Sequence, residues 1–154
     1  MADGDDELKG NRRPKALVVD DDNRFRDKYE ALLKEEGLEV LLAEGVAEGI
    51  EKALAERPDI IITDKDMPDG SGNDLAKAVK AVYAVPIGGV TGGDARDFNL
   101  QYIDIAFSKS LSDENYKELA RDLLKRKGMP ARQSVSDKFF GRFCGIAPQL
   151  VLQD

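Results

Sequence analysis

The residues of this chain best suited to chemistry each follow a short apolar run. Asp20 and Asp21 follow residues 16–19, Asp64 follows the isoleucines 60–62 with Asp66 two positions on, Thr91 follows 86–90, and Lys109 follows 103–107. Carboxylates about 4 Å apart repel by about 4 kcal/mol per pair at an effective dielectric of about 20. Gathered acids of this kind therefore need a divalent cation, a shared proton or a nearby ammonium. Oxygen-only ligands at an open, wet site suit Mg²⁺, which keeps several waters and bridges readily to phosphate. With the charge neutralised, one carboxylate can act as nucleophile and form an acyl phosphate. Phosphoryl transfer asks mainly for positioning and neutralisation. Lys109 can pair with phosphoryl oxygens and the Thr91 hydroxyl can donate to another. Backbone amides after Asp64 and Thr91 complete the cradle, helped by the missing side chain of Gly92. Asp64 stands centrally between the acids and Lys109, which makes it the best nucleophile.

This chemistry requires the runs to be strands whose carboxyl ends share one edge. Residues 16–19, 38–43, 60–62, 86–90 and 103–107 are short and β-branched or apolar without alternation, the signature of strands buried on both faces. Between them lie helical patterns: Phe25, Tyr29, Leu32 and Leu33, stopped by Gly37; Val46, Ile50, Ala53 and Leu54, closed before Pro58; Leu75, Val79 and Val82. Residues 92–101 leave room for only a short helix, and Tyr116, Leu119, Ala120, Leu123 and Leu124 mark the last one, to about Lys127. Five strands alternating with five helices predict a parallel α/β sheet covered on both faces. In a doubly wound order of 2-1-3-4-5, strands one and three meet at the topological switch point, which brings Asp20, Asp21 and Asp64 into one pocket. Asp22 reads as the cap of the first helix.

Composition narrows the function further. The 154 residues carry 23 basic and 30 acidic side chains, a formal net charge of −7, which disfavours broad nucleic-acid binding. The absence of histidine rules out His-based acid/base catalysis, Ser-His triads, His-ligated zinc and any role as a phosphohistidine donor. The single cysteine, Cys144, forbids an internal disulfide and a Cys-cluster metal site. Residues 1–14 read as a disordered acidic leader rather than a secretory signal, and 128–154 as a linker and apolar tail in which a short docking helix can begin near Ser136. No stretch approaches a membrane span, and the expected location is cytoplasmic. No DNA-binding module fits in the tail.

The set Val18-Val19-Asp20-Asp21, Asp64-Lys65-Asp66-Met67-Pro68 with Gly72, Thr91-Gly92 and Lys109 resembles the receiver domain of two-component response regulators, over about residues 15–127. The resemblance implies a flavodoxin-like (βα)5 fold and a signalling protein rather than an enzyme. It implies that Asp64 accepts a phosphoryl group from the phosphohistidine of a histidine kinase or histidine phosphotransfer protein, and that output runs through a downstream protein target. It further implies that Asp21 and Asp64 ligate Mg²⁺ directly, with the Asp66 backbone carbonyl as third ligand and Asp20 acting through water. Lys109 and Thr91 would sense the phosphate.

Three departures from the family pattern bear on output. Ser110 follows Lys109 where a cis proline is usual, and a serine there is expected to relax to trans. Ala106 stands where an aromatic usually swings on phosphorylation, and Phe107 should face the other side of its strand. The segment between Thr91 and Lys109 is about one helical turn short. They predict an intact phosphorylation pocket with an altered readout. Asp66 occupies a position that tunes hydrolysis of the acyl phosphate in the family. Two rival readings are a degenerate receiver acting as a phosphorylation-independent interaction module, and a phosphatase of the haloacid-dehalogenase type, whose strand-Asp-x-Asp signature residues 60–66 also resemble.

Overall fold

The computed structural model describes residues 12–127; the tail, with Cys144 and the proposed helix near Ser136, lies outside them. Five strands form one parallel sheet: β1 Lys15–Val19, β2 Glu39–Ala43, β3 Ile60–Asp64, β4 Ile87–Thr91 and β5 Ile105–Ser108. Their spatial order is β2-β1-β3-β4-β5, the doubly wound arrangement expected from the sequence. β3 is central and buried along its whole length. Covering each of Ile60, Ile61 and Ile62 contributes about 2 kcal/mol.

Four α-helices cover the sheet among the described residues: α1 Asn23–Glu35, α2 Val46–Glu56, α3 Gly72–Lys80 and α4 Asp113–Arg126. Their starts are well specified locally. Asp22 caps α1 by accepting from the Arg24 amide at 2.9 Å, as its position predicts. Ser71 and Asp74 form a reciprocal capping box on α3, and Ser112 caps α4. The fourth crossover departs from the expected helix, because residues 92–104 contain one 3-10 turn, Ala95–Asp97. Val82, read as part of the third helix face, lies beyond its end at Lys80 and is 51% exposed.

The amino edge of the sheet is closed by one buried acid. Asp59 accepts from both Arg12 Nη atoms at 2.8 and 3.1 Å and from the Lys15 amide at 2.7 Å, and also pairs with Lys127 at the end of α4. Residues 12–14, assigned above to the leader, are thus fastened to the domain. Pro14 adds a carbonyl that accepts from the Glu39 amide. Burial alone would raise the Asp59 pKa, but Arg12, Lys127 and the Lys15 amide together hold it below the usual carboxylate range. Its contribution is therefore present at neutral pH and is lost as the pH falls. Asp59→Asn is expected to cost about 2 kcal/mol in a urea titration at pH 7, with the difference shrinking below about pH 4.

Candidate functional site

β1 and β3 lie side by side with Val19 opposite Thr63, so the residues that follow them come out together at the carboxyl edge. One carboxylate oxygen from each of Asp20, Asp21 and Asp64 falls within 4.8 Å of the others. Asp20 and Asp64 are buried and Asp21 is exposed at the mouth. The Lys109 ammonium bridges the two buried acids, 2.9 Å from Asp20 Oδ2 and 3.3 Å from Asp64 Oδ2. Apart from this ammonium, Asp20 Oδ2 has no partner among the described residues.

Backbone contacts hold these groups in place. The Asp20 amide donates to the Ala43 carbonyl at 3.1 Å, and the Arg26 guanidinium donates to the Asp20 carbonyl at 2.7 Å. Asp20 Oδ1 accepts from the Asp22 amide and Asp64 Oδ1 from the Lys65 amide, both at 2.8 Å. The Lys109 amide donates to the Thr91 carbonyl at 2.8 Å, so β5 delivers the ammonium in register with β4. The Lys109–Ser110 peptide bond is trans, as expected for serine, and the ammonium still reaches both acids.

Electrostatics give the site its character. Burial and then repulsion from Asp20 push the Asp64 carboxyl up to about 6, against the opposing pull of Lys109 and the Lys65 amide. Burial opposes the charge on Lys109, yet Asp20 and Asp64 hold the ammonium above its usual range. Three carboxylates against one ammonium, with a buried oxygen whose single partner is that ammonium and no nitrogen or sulfur ligand among the described residues, fit a hard divalent cation such as Mg²⁺.

The remaining predicted residues stand around this centre. Thr91 is buried at the end of β4, next to the Asp64–Val90 pair, and its hydroxyl oxygen accepts from the Gly93 amide at 3.0 Å. That contact leaves the Thr91 O–H proton available to a ligand. Asp66 opens a two-residue hairpin, Asp66–Met67 against Gly70–Ser71, and its exposed side chain pairs with Lys65 rather than with the acidic cluster.

Over residues 16–129 the chain matches the family described as the response regulator receiver domain. The chain belongs to that family. Among relatives, the acid tolerance regulatory protein ActR of Rhizobium meliloti is 39% identical over 64 residues, 42% of this chain and 33% of that protein. The response regulator protein PilR of Pseudomonas aeruginosa is 27% identical over 143 residues, 90% of this chain and 32% of that protein. The receiver therefore spans about a third of the length of the curated relatives it matches. A CheY-like receiver domain protein from Methanospirillum hungatei superimposes with a TM-score of 0.69 at 28% identity, covering 74% of this chain and 95% of that one. A receiver domain protein from Clostridium thermocellum gives 0.68 at 25%, covering 73% and 95%. No helix among the described residues of this receiver is long and apolar enough to cross a membrane.

Several residues that shape the site are not apparent from spacing. Asp69 caps α2 from outside, accepting from the Val46 and Ala47 amides at 2.8 and 3.0 Å. The cap residue Gly45 has no side chain to offer, and a Cβ there would meet Asp69 Oδ1 at 2.8 Å. The β3–α3 loop, with the Asp66 carbonyl, is thereby pinned to a helix start. Gly72, already part of the sequence motif, shows why a glycine stands there: a Cβ would sit 2.4 Å from the Asp64 carbonyl oxygen. Asn73, next along, ties down the fourth crossover, donating to the Asp97 carbonyl at 3.3 Å and accepting from the Asn99 amide at 2.7 Å. Between those two contacts the buried Phe98 lays its ring on Gly89, where a Cβ would come within 2.6 Å of the ring. Gly89 is paired with Ala106. Phe98 thus covers the sheet face on which Ala106 leaves space, while Phe107, one residue on, belongs to the opposite face by strand alternation.

Proposed function

We propose that this receiver accepts a phosphoryl group on Asp64 from a histidine kinase or histidine phosphotransfer protein, in a Mg²⁺-dependent reaction, and signals through a downstream protein. The observation that carries the reading is the junction of Asp20, Asp21 and Asp64 within 4.8 Å with Lys109 bridging the two buried acids. An Asp64 carboxylate oxygen attacks the phosphorus of the phosphohistidine; the P–O bond forms, the P–N bond breaks, and the imidazole leaves with its electron pair and takes a proton. Asp21, Asp64 and the Asp66 carbonyl would hold the cation directly, with Asp20 acting through water. A bound Mg²⁺ supplies charge neutralisation between the acids and the incoming phosphoryl oxygens. Lys109 pairs with one of those oxygens and the Thr91 hydroxyl donates to another. The chain assists only its own phosphorylation and dephosphorylation, as a signalling protein of the cytoplasm. Incubation with acetyl phosphate and Mg²⁺ should add one phosphoryl group by intact mass, and chelation of the metal should prevent it.

The readout has a specific restraint. The Asn73 contacts on either side of Phe98, and the Phe98 ring on Gly89 beside Ala106, hold the fourth crossover to the sheet. Backbone chemical shifts recorded with and without beryllofluoride are therefore expected to change most around residues 20–26 and 63–72, and little over 94–103. A large change centred on 92–110 would count against this part of the reading.

A further inference from the structure

The Lys109 ammonium has a third neighbour that carries no charge. It lies 4.3 Å from the centroid of the Phe25 ring, on the first turn of α1. Phe25 in turn meets Tyr29 at 5.8 Å between centroids with a 37° tilt, and Tyr29 stacks on Tyr116 of α4 at 4.0 Å and 6°. Both tyrosines are buried, and neither hydroxyl has a hydrogen-bond partner among the described residues. A continuous line of rings thus runs from the ammonium that bridges Asp20 and Asp64 to the seam between α1 and α4.

Of the three groups that hold Lys109, two are the acids that a cation also claims. When Asp20 and Asp64 turn to a divalent ion, the ammonium loses both ionic partners, but the face of an aromatic ring still attracts it and no Mg²⁺ competes for that seat. We propose that Phe25 is the positioning residue that keeps Lys109 in the pocket once its carboxylates are engaged, and that the shift of the ammonium reaches the Tyr29–Tyr116 stack through the Phe25 ring. This rests on Asp64 being the phosphoacceptor. In this role Phe25 acts through Lys109, whose ammonium lies over its ring.

The chain lacks tryptophan and has four tyrosines, so its near-ultraviolet circular dichroism is largely a tyrosine signal to which the stacked pair contributes. Titrating Mg²⁺ into the wild-type protein without any phosphodonor should change that band to saturation. Phe25→Leu, which keeps an apolar side chain but no ring, should lose most of the change. It should also slow phosphoryl uptake from acetyl phosphate about fivefold at saturating Mg²⁺. Phe25→Tyr restores a ring face and should return the rate to within about twofold of wild type. If the wild type takes up no phosphoryl group, the underlying reading fails. If it does, three results would each overturn the role of Phe25 alone: a wild-type tyrosine band unmoved by Mg²⁺, a Phe25→Leu protein that matches wild type, or a Phe25→Tyr protein as slow as Phe25→Leu.

Discussion

Asp64→Asn is expected to raise the stability of the metal-free receiver at pH 7 by about 2 kcal/mol, and on the function proposed above it is expected to abolish phosphoryl acceptance as well. The reason is the company Asp64 keeps. Its carboxyl is buried beside Asp20, and burial and repulsion together lift its pKa to about 6. A carboxyl whose folded pKa lies above its unfolded value of about 3.9 costs stability in its ionised form. That cost is absent below pH 4, grows as the pH rises through 6, and is complete at neutrality. Asparagine keeps an acceptor for the Lys65 amide, which lies 2.8 Å from Asp64 Oδ1, and removes the charge. Urea titrations at pH 7 and about pH 4 should show the gain in the first and little of it in the second, with the slope unchanged. Mg²⁺ should stabilise the wild type and have much less effect on the variant.

Lys109→Met should move stability the other way, by about 3 kcal/mol at pH 7. The methionine is apolar and of similar length, so the loss comes from charge rather than from a cavity. Without the ammonium, Asp20 and Asp64 face each other buried and uncompensated, and Asp20 Oδ2 has no hydrogen-bond donor to fall back on. Removing one partner of a buried pair is expensive for this reason. The sign is checked by pH: lowering it toward about 4 protonates Asp64 and should recover most of the loss. Combining Lys109→Met with Asp64→Asn should give a protein more stable at pH 7 than Lys109→Met alone. The resulting non-additivity measures the coupling of the pair. Additive effects would mean that the bridge seen here contributes nothing.

Much of this was legible in the sequence, for a physical reason. Strands buried on both faces must be apolar without alternation, so the isoleucines 60–62 announced the central strand, and the polar residue that ended each run lay at the ligand edge. Asp20, Asp21, Asp64 and Lys109 are brought together by strand order alone. What stayed hidden depends on contacts without periodicity. Asp69 caps a helix that starts 23 residues earlier, and no spacing in the sequence marks Gly45 as the seat for that carboxylate. Gly89 reads in sequence only as part of the strand 86–90, whereas it makes room for the Phe98 ring. Arg12 looked like part of a polar leader because its partner, Asp59, lies 47 residues away. Phe25 was read as an ordinary apolar face of α1, and only the folded chain shows Lys109 above it.

The identity of the phosphoacceptor is tested most directly by trapping it. After incubation with acetyl phosphate and Mg²⁺, borohydride reduces an aspartyl phosphate to homoserine, and peptide mapping reads the position. Homoserine is expected at residue 64 alone, with none in Asp64→Asn or in the presence of a chelator. Homoserine at Asp66 or elsewhere, or none at all in the wild type, would contradict the account.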